Sequence, residues 1–175
     1  MKTKHIIYAI LLFTLFSCEH HNKFNINDYI QGDLSDLEYS VSNNEIRIPY
    51  TEQAGVKILK CLINGTILTD MILDTGCSDV LLSVNEAKYL AAIGALTLSD
   101  YQGTEISQIA DGSIVEDAVY NIKSIVIADK LECNNIKATV SANSNAPLLL
   151  GNAVLDRLPK WTVDNQRKEI VFTLN

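Results

Sequence analysis

The stretch Met71-Ile72-Leu73-Asp74-Thr75-Gly76-Cys77-Ser78 decides how the rest of the chain is read. Three apolar residues run into Asp-Thr-Gly, and Val80-Leu81-Leu82 resumes the apolar run, a pattern of strand, tight turn and strand. Such a turn presents Asp74 at the end of a β-loop backed by core. There backbone N–H groups, rather than a flexible side chain, fix the surroundings of the carboxylate. Upstream, residues 56–63 read as a strand, and Asn64-Gly65 is the strongest hairpin signal in the chain. Further back, Ile46, Ile48 and Tyr50 alternate with Glu45, Arg47 and Pro49, as a half-buried edge strand would.

Downstream, Ser83-x-x-Glu86 is a capping box. Ala87, Leu90 and Ala91 then supply an apolar stripe and Gly94 a stop, so a helix is expected over 84–93. Residues 96–98 and 106–110 read as strand-like, Asp111-Gly112 as a turn, and 114–120 as the strand returning from it. Residues 122–128 and 136–142 suggest a further strand pair joined through 129–135. Leu148-Leu149-Leu150-Gly151 is a buried apolar run, followed by a short helix over 152–158 with Asn152 as its cap and Pro159 at its end. Residues 161–163 and 169–173 form a closing hairpin around Asn165-Gln166. Frequent turns, short β-branched runs and two short helices point to an all-β domain.

Composition narrows the function. The chain has 175 residues, 47% of them apolar and 20% charged, enough for one domain with a real core plus a tail. Its net charge of −7 argues against wrapping a nucleic-acid backbone. All three histidines (His5, His20, His21) fall in the first 21 residues. The domain that follows therefore cannot run Ser-His-Asp or Cys-His catalysis, nor hold a His-ligated zinc within one chain. Acid–base chemistry there must rest on carboxylates, Cys, Tyr or Lys.

Lys2 and Lys4 precede an apolar run over 6–16, which suits the core of a secretory signal and is too short to span a bilayer. The run ends in Leu15-Phe16-Ser17-Cys18, which resembles the lipobox of bacterial lipoproteins, where cleavage precedes a Cys that carries diacylglycerol. The resemblance implies a signal peptide over 1–17, a lipidated Cys18 and a membrane anchor in a bacterial cell envelope, facing periplasm or surface. An ordinary cleaved signal with an incidental Cys is the alternative. Residues 18–44 are polar and Asn/Asp-rich and read as a tether, with the working domain over 45–175.

Asp-Thr-Gly alone is a weak signal, but the ordered set around it resembles a retropepsin-like aspartic protease of the single-domain bacterial type. Cys61-Leu62-Ile63-Asn64-Gly65 precedes Met71–Ser78 as that family's first hairpin precedes its catalytic loop. A short helix follows, Ala110-Asp111-Gly112-Ser113 resembles the tip of a flap that closes over substrate, and Leu149-Leu150-Gly151 resembles the element packed behind the catalytic loop. The resemblance implies a closed β-barrel-like fold with one or two short helices, acting as a homodimer and using no metal or cofactor. Two Asp74 carboxylates about 3 Å apart would share one proton and activate a water between them. One Asp-Thr-Gly per chain means that the second must come from another copy. Thr75, Gly76, Cys77 and Ser78 would support the loop, with Thr75 bonding across the two-fold axis. Asp111 and Gly112 would cover an extended peptide or protein segment, while Leu150, Gly151 and Asn152 pack behind.

Two departures stand out. Cys77 occupies a position where relatives carry Ala or Ser, and a thiol is a weaker donor to the carboxylate. Where viral relatives pair an Arg with an Asp, this chain has Asn152 and Ser78, so a neutral hydrogen bond is expected in place of an ion pair. Cys61, Cys77 and Cys133 are expected as free, mostly buried thiols, Trp161 and Tyr120 as core or interface, and Asp79, Glu116 and Asp117 as solvated charge. The rival reading is a non-catalytic envelope lipoprotein that uses the same fold to bind a protein partner. A Cys-based redox protein is disfavoured by the lack of any C-x-x-C pair.

Overall fold

In the computed structural model, Val56–Ile63 (β4) and Ile67–Leu73 (β5) pair antiparallel from Ile58↔Ile72 to Ile63↔Ile67. Asn64 and Gly65 both take positive φ, 48° and 64°, in a three-residue connection (64–66) that the Thr66 N–H closes on Ile63 O at 2.9 Å. The structure describes residues 40–42, 44–109, 111–158 and 160–173. The expected signal peptide over 1–17, the lipidation site Cys18, all three histidines, most of the 18–44 tether, Ala110 and Pro159 lie outside the described residues.

Around this hairpin the chain closes a barrel. The strands run in the order β3 (Thr51–Gln53), β4, β5, β10 (Leu149–Leu150), β6 (Val80–Ser83), β9 (Leu131–Ser141), β8 (Ile114–Ile127) and β7 (Tyr101–Gln108). β8 pairs back onto β4 through Cys61↔Ile127 and Ile63↔Ile125, which joins the two sides of the sheet. On β4 the alternate residues Leu59, Cys61 and Ile63 point inward and are fully buried, and Ile122, Ile125, Ile127 and Ile136 face them from β8 and β9. β-Branched side chains on a half-buried pleated surface explain why this stretch is strand throughout.

Helix α1 (Val84–Ala92) starts where the capping box places it. Ser83 Oγ accepts from Asn85 N and donates to Glu86, and Gly94, at φ 74°, ends the helix with its N–H on Ala91 O. Four expectations need correction. Residues 96–98 are not strand: Leu98–Asp100 is a 3₁₀ turn, held by Asp100 Oδ2 accepting from Thr97 N at 2.8 Å. The strands expected over 114–120 and 122–128 are one continuous β8, and the link to β9 is a tight turn with Ala128 and Asp129 at positive φ rather than a loop over 129–135. The helix after Gly151, α2, spans only Asn152–Leu155, and its N-cap is Gly151. The alternating strand β2 (Glu45–Pro49) is not an edge, because β1 (Ser40–Ser42) lies on one side of it and β12 (Glu169–Thr173) on the other.

β1, β2, β12 and β11 (Lys160–Asp164) form a second, four-stranded sheet. β12 is paired on both sides within its own chain, to β2 and to β11. Its residues Ile170 and Phe172 join Ile46, Ile48 and Tyr50 in one continuous hydrophobic cluster with the barrel interior. The two sheets therefore share a core, and Phe172→Ala is expected to cost about 3–5 kcal/mol of stability by urea unfolding. A loss below about 1 kcal/mol would show that the small sheet is not packed as part of that core.

Candidate active site

Asp74 follows directly on β5, and its position is set by a strand far away in sequence. β10 wedges between β5 and β6, parallel to the first (Leu150↔Leu73) and antiparallel to the second (Leu150↔Val80). The Asp74 N–H donates to Leu150 O at 3.1 Å, and the Ile72 N–H to Leu148 O at 2.8 Å. The loop 74–79 thus spans two strands whose separation is fixed by a third, and its first residue hangs on that third strand's carbonyl.

Within the loop, the Gly76 N–H donates to Asp74 Oδ1 at 2.8 Å, and the Cys77 N–H reaches Asp74 O at 3.3 Å. The half-buried carboxylate is therefore oriented by backbone, as the sequence predicts. A Cβ on Gly76 would stand 3.1 Å from that same Oδ1, so any larger residue there would press on the carboxylate that Gly76 orients. Thr75, Gly76 and Ser78 are exposed.

Behind the loop, residues 151–153 clamp three of its carbonyls. The Asn152 N–H donates to Cys77 O at 2.9 Å, the Ala153 N–H to Ser78 O at 2.8 Å, and Asn152 Nδ2 to Thr75 O at 3.0 Å. The otherwise unpaired N–H groups at the start of α2 are thereby satisfied. The Asn152 side chain does not cap α2, contrary to expectation. The neutral hydrogen bond expected in place of an ion pair is there, made to the Thr75 carbonyl rather than to the Ser78 side chain. Gly151 makes the clamp possible: a Cβ there would lie 2.1 Å from Asp79 O and 2.5 Å from Cys77 O.

Cys77 donates its thiol to Asp79 O at 3.2 Å, away from the Asp74 carboxylate, and burial pushes its pKa up. Cys61 and Cys133 are buried free thiols, and burial raises both pKa values. All three described cysteines are thus held as protonated, weakly nucleophilic groups.

The hairpin expected to serve as the flap joins β7 to β8. The Ile109 N–H donates to Ser113 O and the Gly112 N–H to Ile109 O, at 3.0 and 2.8 Å, with Gly112 at φ 86°. Asp111 Oδ1 accepts from Ser113 N at 2.8 Å, and hydrogen bonds from Ser113 hold its carboxyl below the ordinary range. Ile106 and Ile114 are 71% and 72% exposed, so the hairpin carries apolar surface that the protomer does not cover.

Asp79 is not solvated charge as expected. It is 13% exposed and pairs with Lys137 on β9 at 3.0 Å, and the same ammonium contacts Glu105 on β7. The Lys137 pKa is raised by Glu105 first and Asp79 second. Asp117 is half-buried, and desolvation raises its carboxyl above the usual value. Glu116 is exposed, accepting from Thr104 Oγ1 at 2.7 Å, and Trp161 and Tyr120 pack against the core as expected. No sequence motif announces the Lys137 contacts. The one available signal is alternation, which puts Lys137 on the face opposite buried Ile136 and Ala138.

A family profile described as "gag-polyprotein putative aspartyl protease" matches residues 59–157. Among solved structures the chain is similar to a retropepsin-like aspartic protease from Rickettsia conorii, with a TM-score of 0.52. Identity to that protein is 21%, over 78% of this chain and 95% of the other, a likeness that speaks for the fold. No curated protein matches the chain.

The clamp on the loop is testable without any substrate. Gly151→Ala forces a methyl group into two backbone carbonyls and is expected to cost about 3 kcal/mol in urea unfolding. A variant as stable as the parent would show that α2 can withdraw from the loop freely.

Proposed function

The chain belongs to this gag-polyprotein aspartyl protease family, and on that premise we propose that it is an endopeptidase acting as a homodimer through a pair of Asp74 carboxylates. The observation that carries the reading is the seating of Asp74. Its backbone N–H is fixed on Leu150 O and its Oδ1 on the Gly76 N–H, in a loop whose Thr75, Cys77 and Ser78 carbonyls are clamped from behind. A carboxylate held this way reorganises little as charge develops nearby, which is what electrostatic stabilisation of a transition state requires.

Asp-Thr-Gly occurs once in the chain, so the second carboxylate comes from a second copy. With the two carboxyl groups sharing one proton, the ionised Asp74 takes a proton from a water lying between them, and the water oxygen adds to the scissile carbonyl carbon. The protonated Asp74 donates a hydrogen bond to the carbonyl oxygen as it gains charge. The Asp74 carboxyl that took the water proton then passes it to the amide nitrogen, and the C–N bond breaks to leave a carboxylic acid and an amine. Thr75 bonds across the two-fold axis. Asp111 and Gly112 at the flap tip cover an extended peptide, paired in strand-like fashion, and exclude bulk water. We place this domain at 45–175, with β1 (Ser40–Ser42) added to its sheet, tethered through the rest of 18–44 to a membrane by a lipid on Cys18 after removal of 1–17, in a bacterial cell envelope.

Wild type and Asp74→Asn, both taken from Glu38 onward so that β1 is kept, are to be incubated with a diverse peptide library across pH 3–8. Cleavage is expected for wild type, rising with the square of protomer concentration when dilute, and a loss of at least about a hundredfold for the variant. Equal cleavage by the two proteins would remove Asp74 from the mechanism. A folded wild type that cleaves nothing would favour the non-catalytic binding protein.

A further inference from the structure

The flap hangs from the barrel by one neighbour. β7 is the outermost strand of its sheet and takes ladder hydrogen bonds from β8 alone. Its register with β8 places Glu105 directly opposite Asp117, two carboxylates on one face, an arrangement that disfavours pairing unless a cation is near. Lys137 brings a cation to Glu105, the β7 member of the pair. It sits on β9 next to Ala138, which pairs with Val80 at the start of β6, so its ammonium reaches both the catalytic segment and the flap. Its Nζ lies 3.0 Å from Asp79 Oδ2 and also contacts the Glu105 carboxylate.

The Asp79 end of this bridge is the firmer one. Its side chain is 13% exposed, against 43% for Glu105. Its carbonyl oxygen takes the Cys77 thiol at 3.2 Å and lies within the region that Gly151 keeps clear. Asp79 is therefore built into the same clamp that seats Asp74. A displacement of β7 relative to the catalytic loop must stretch the Glu105 contact, the more exposed arm.

We propose that Lys137 is a positioning residue, which ties flap strand β7 through Glu105 to the Asp74 loop through Asp79 and so sets how the flap stands over the catalytic carboxylate. The inference rests on the reading of Asp74 as the catalytic group. Lys137 touches no reacting atom; it acts by holding the closed flap against the open one. Loss of the tie raises KM for peptide and leaves kcat nearly unchanged, because the open flap binds substrate less well while the Asp74 pair is undisturbed.

The test compares Glu105→Gln, Lys137→Met and Lys137→Arg with wild type, by hydrogen exchange of the amides over 103–117 and 71–82 and by peptide kinetics. Both the Gln and Met variants are expected to speed exchange over 103–117 about two- to fivefold, the range of a partly exposed ion pair, with 71–82 unchanged in the Gln variant. KM rises by a similar factor, Lys137→Arg stays close to wild type, and 1 M salt brings wild type to the level of Glu105→Gln. Wild-type flap exchange in both variants overturns the tie, as does faster exchange spread equally over both segments in Glu105→Gln. Exchange needs no turnover, so a chain that cleaves no peptide still answers the question. A cleaving enzyme with an indifferent Glu105→Gln loses the tie and keeps the peptidase reading.

Discussion

Everything at this site depends on one close approach, that of Gly151 to the carbonyls of Cys77 and Asp79. Removing a single Cβ lets the start of a four-residue helix come close enough to hydrogen-bond two loop carbonyls through backbone N–H groups and a third through Asn152. The preceding two residues, as β10, hold β5 and β6 apart and supply the carbonyl on which the Asp74 N–H rests. Helix, wedge strand and loop thus form one unit, joined by backbone hydrogen bonds that a shift of any part would break. The long-range contact, made between residues 77 apart, determines the geometry of the local motif.

Much of this was legible in the residues. Asn64-Gly65 announces its turn because two positive φ values in succession suit few other pairs, and Ser83 with Glu86 announces a helix start for equally local reasons. The orientation of Asp74 by backbone was also readable, because a Gly two residues on leaves its N–H free to reach a carboxylate oxygen. Asn121, a residue type uncommon in strands, reads as a break between 114–120 and 122–128, yet it pairs with Lys137 on a ladder with β9 that runs through it. Leu96–Leu98 carried a strand-like pattern that was overridden by Asp100 capping a 3₁₀ turn.

What could not be read were contacts that no short window contains. Asn152 looks like an N-cap in isolation, and only the arrival of Thr75 beside it redirects its amide. Asp79 looks like surface charge until Lys137 and Glu105, from two other strands, converge on it. Cys77 looked like an inferior donor to the carboxylate; its thiol instead bonds the Asp79 carbonyl and braces the far side of the loop. In each case the residue type was right and the partner was set by tertiary structure.

The pairing of β12 within its own chain has a consequence for timing. A terminal strand satisfied on both edges asks nothing of a second molecule, so the order of events is folding first and encounter later. Such a chain can persist as a finished fold whose core its own strands close. If activity needs two Asp74 carboxylates, as proposed, dilution would act as a reversible off state rather than as a route to unfolding.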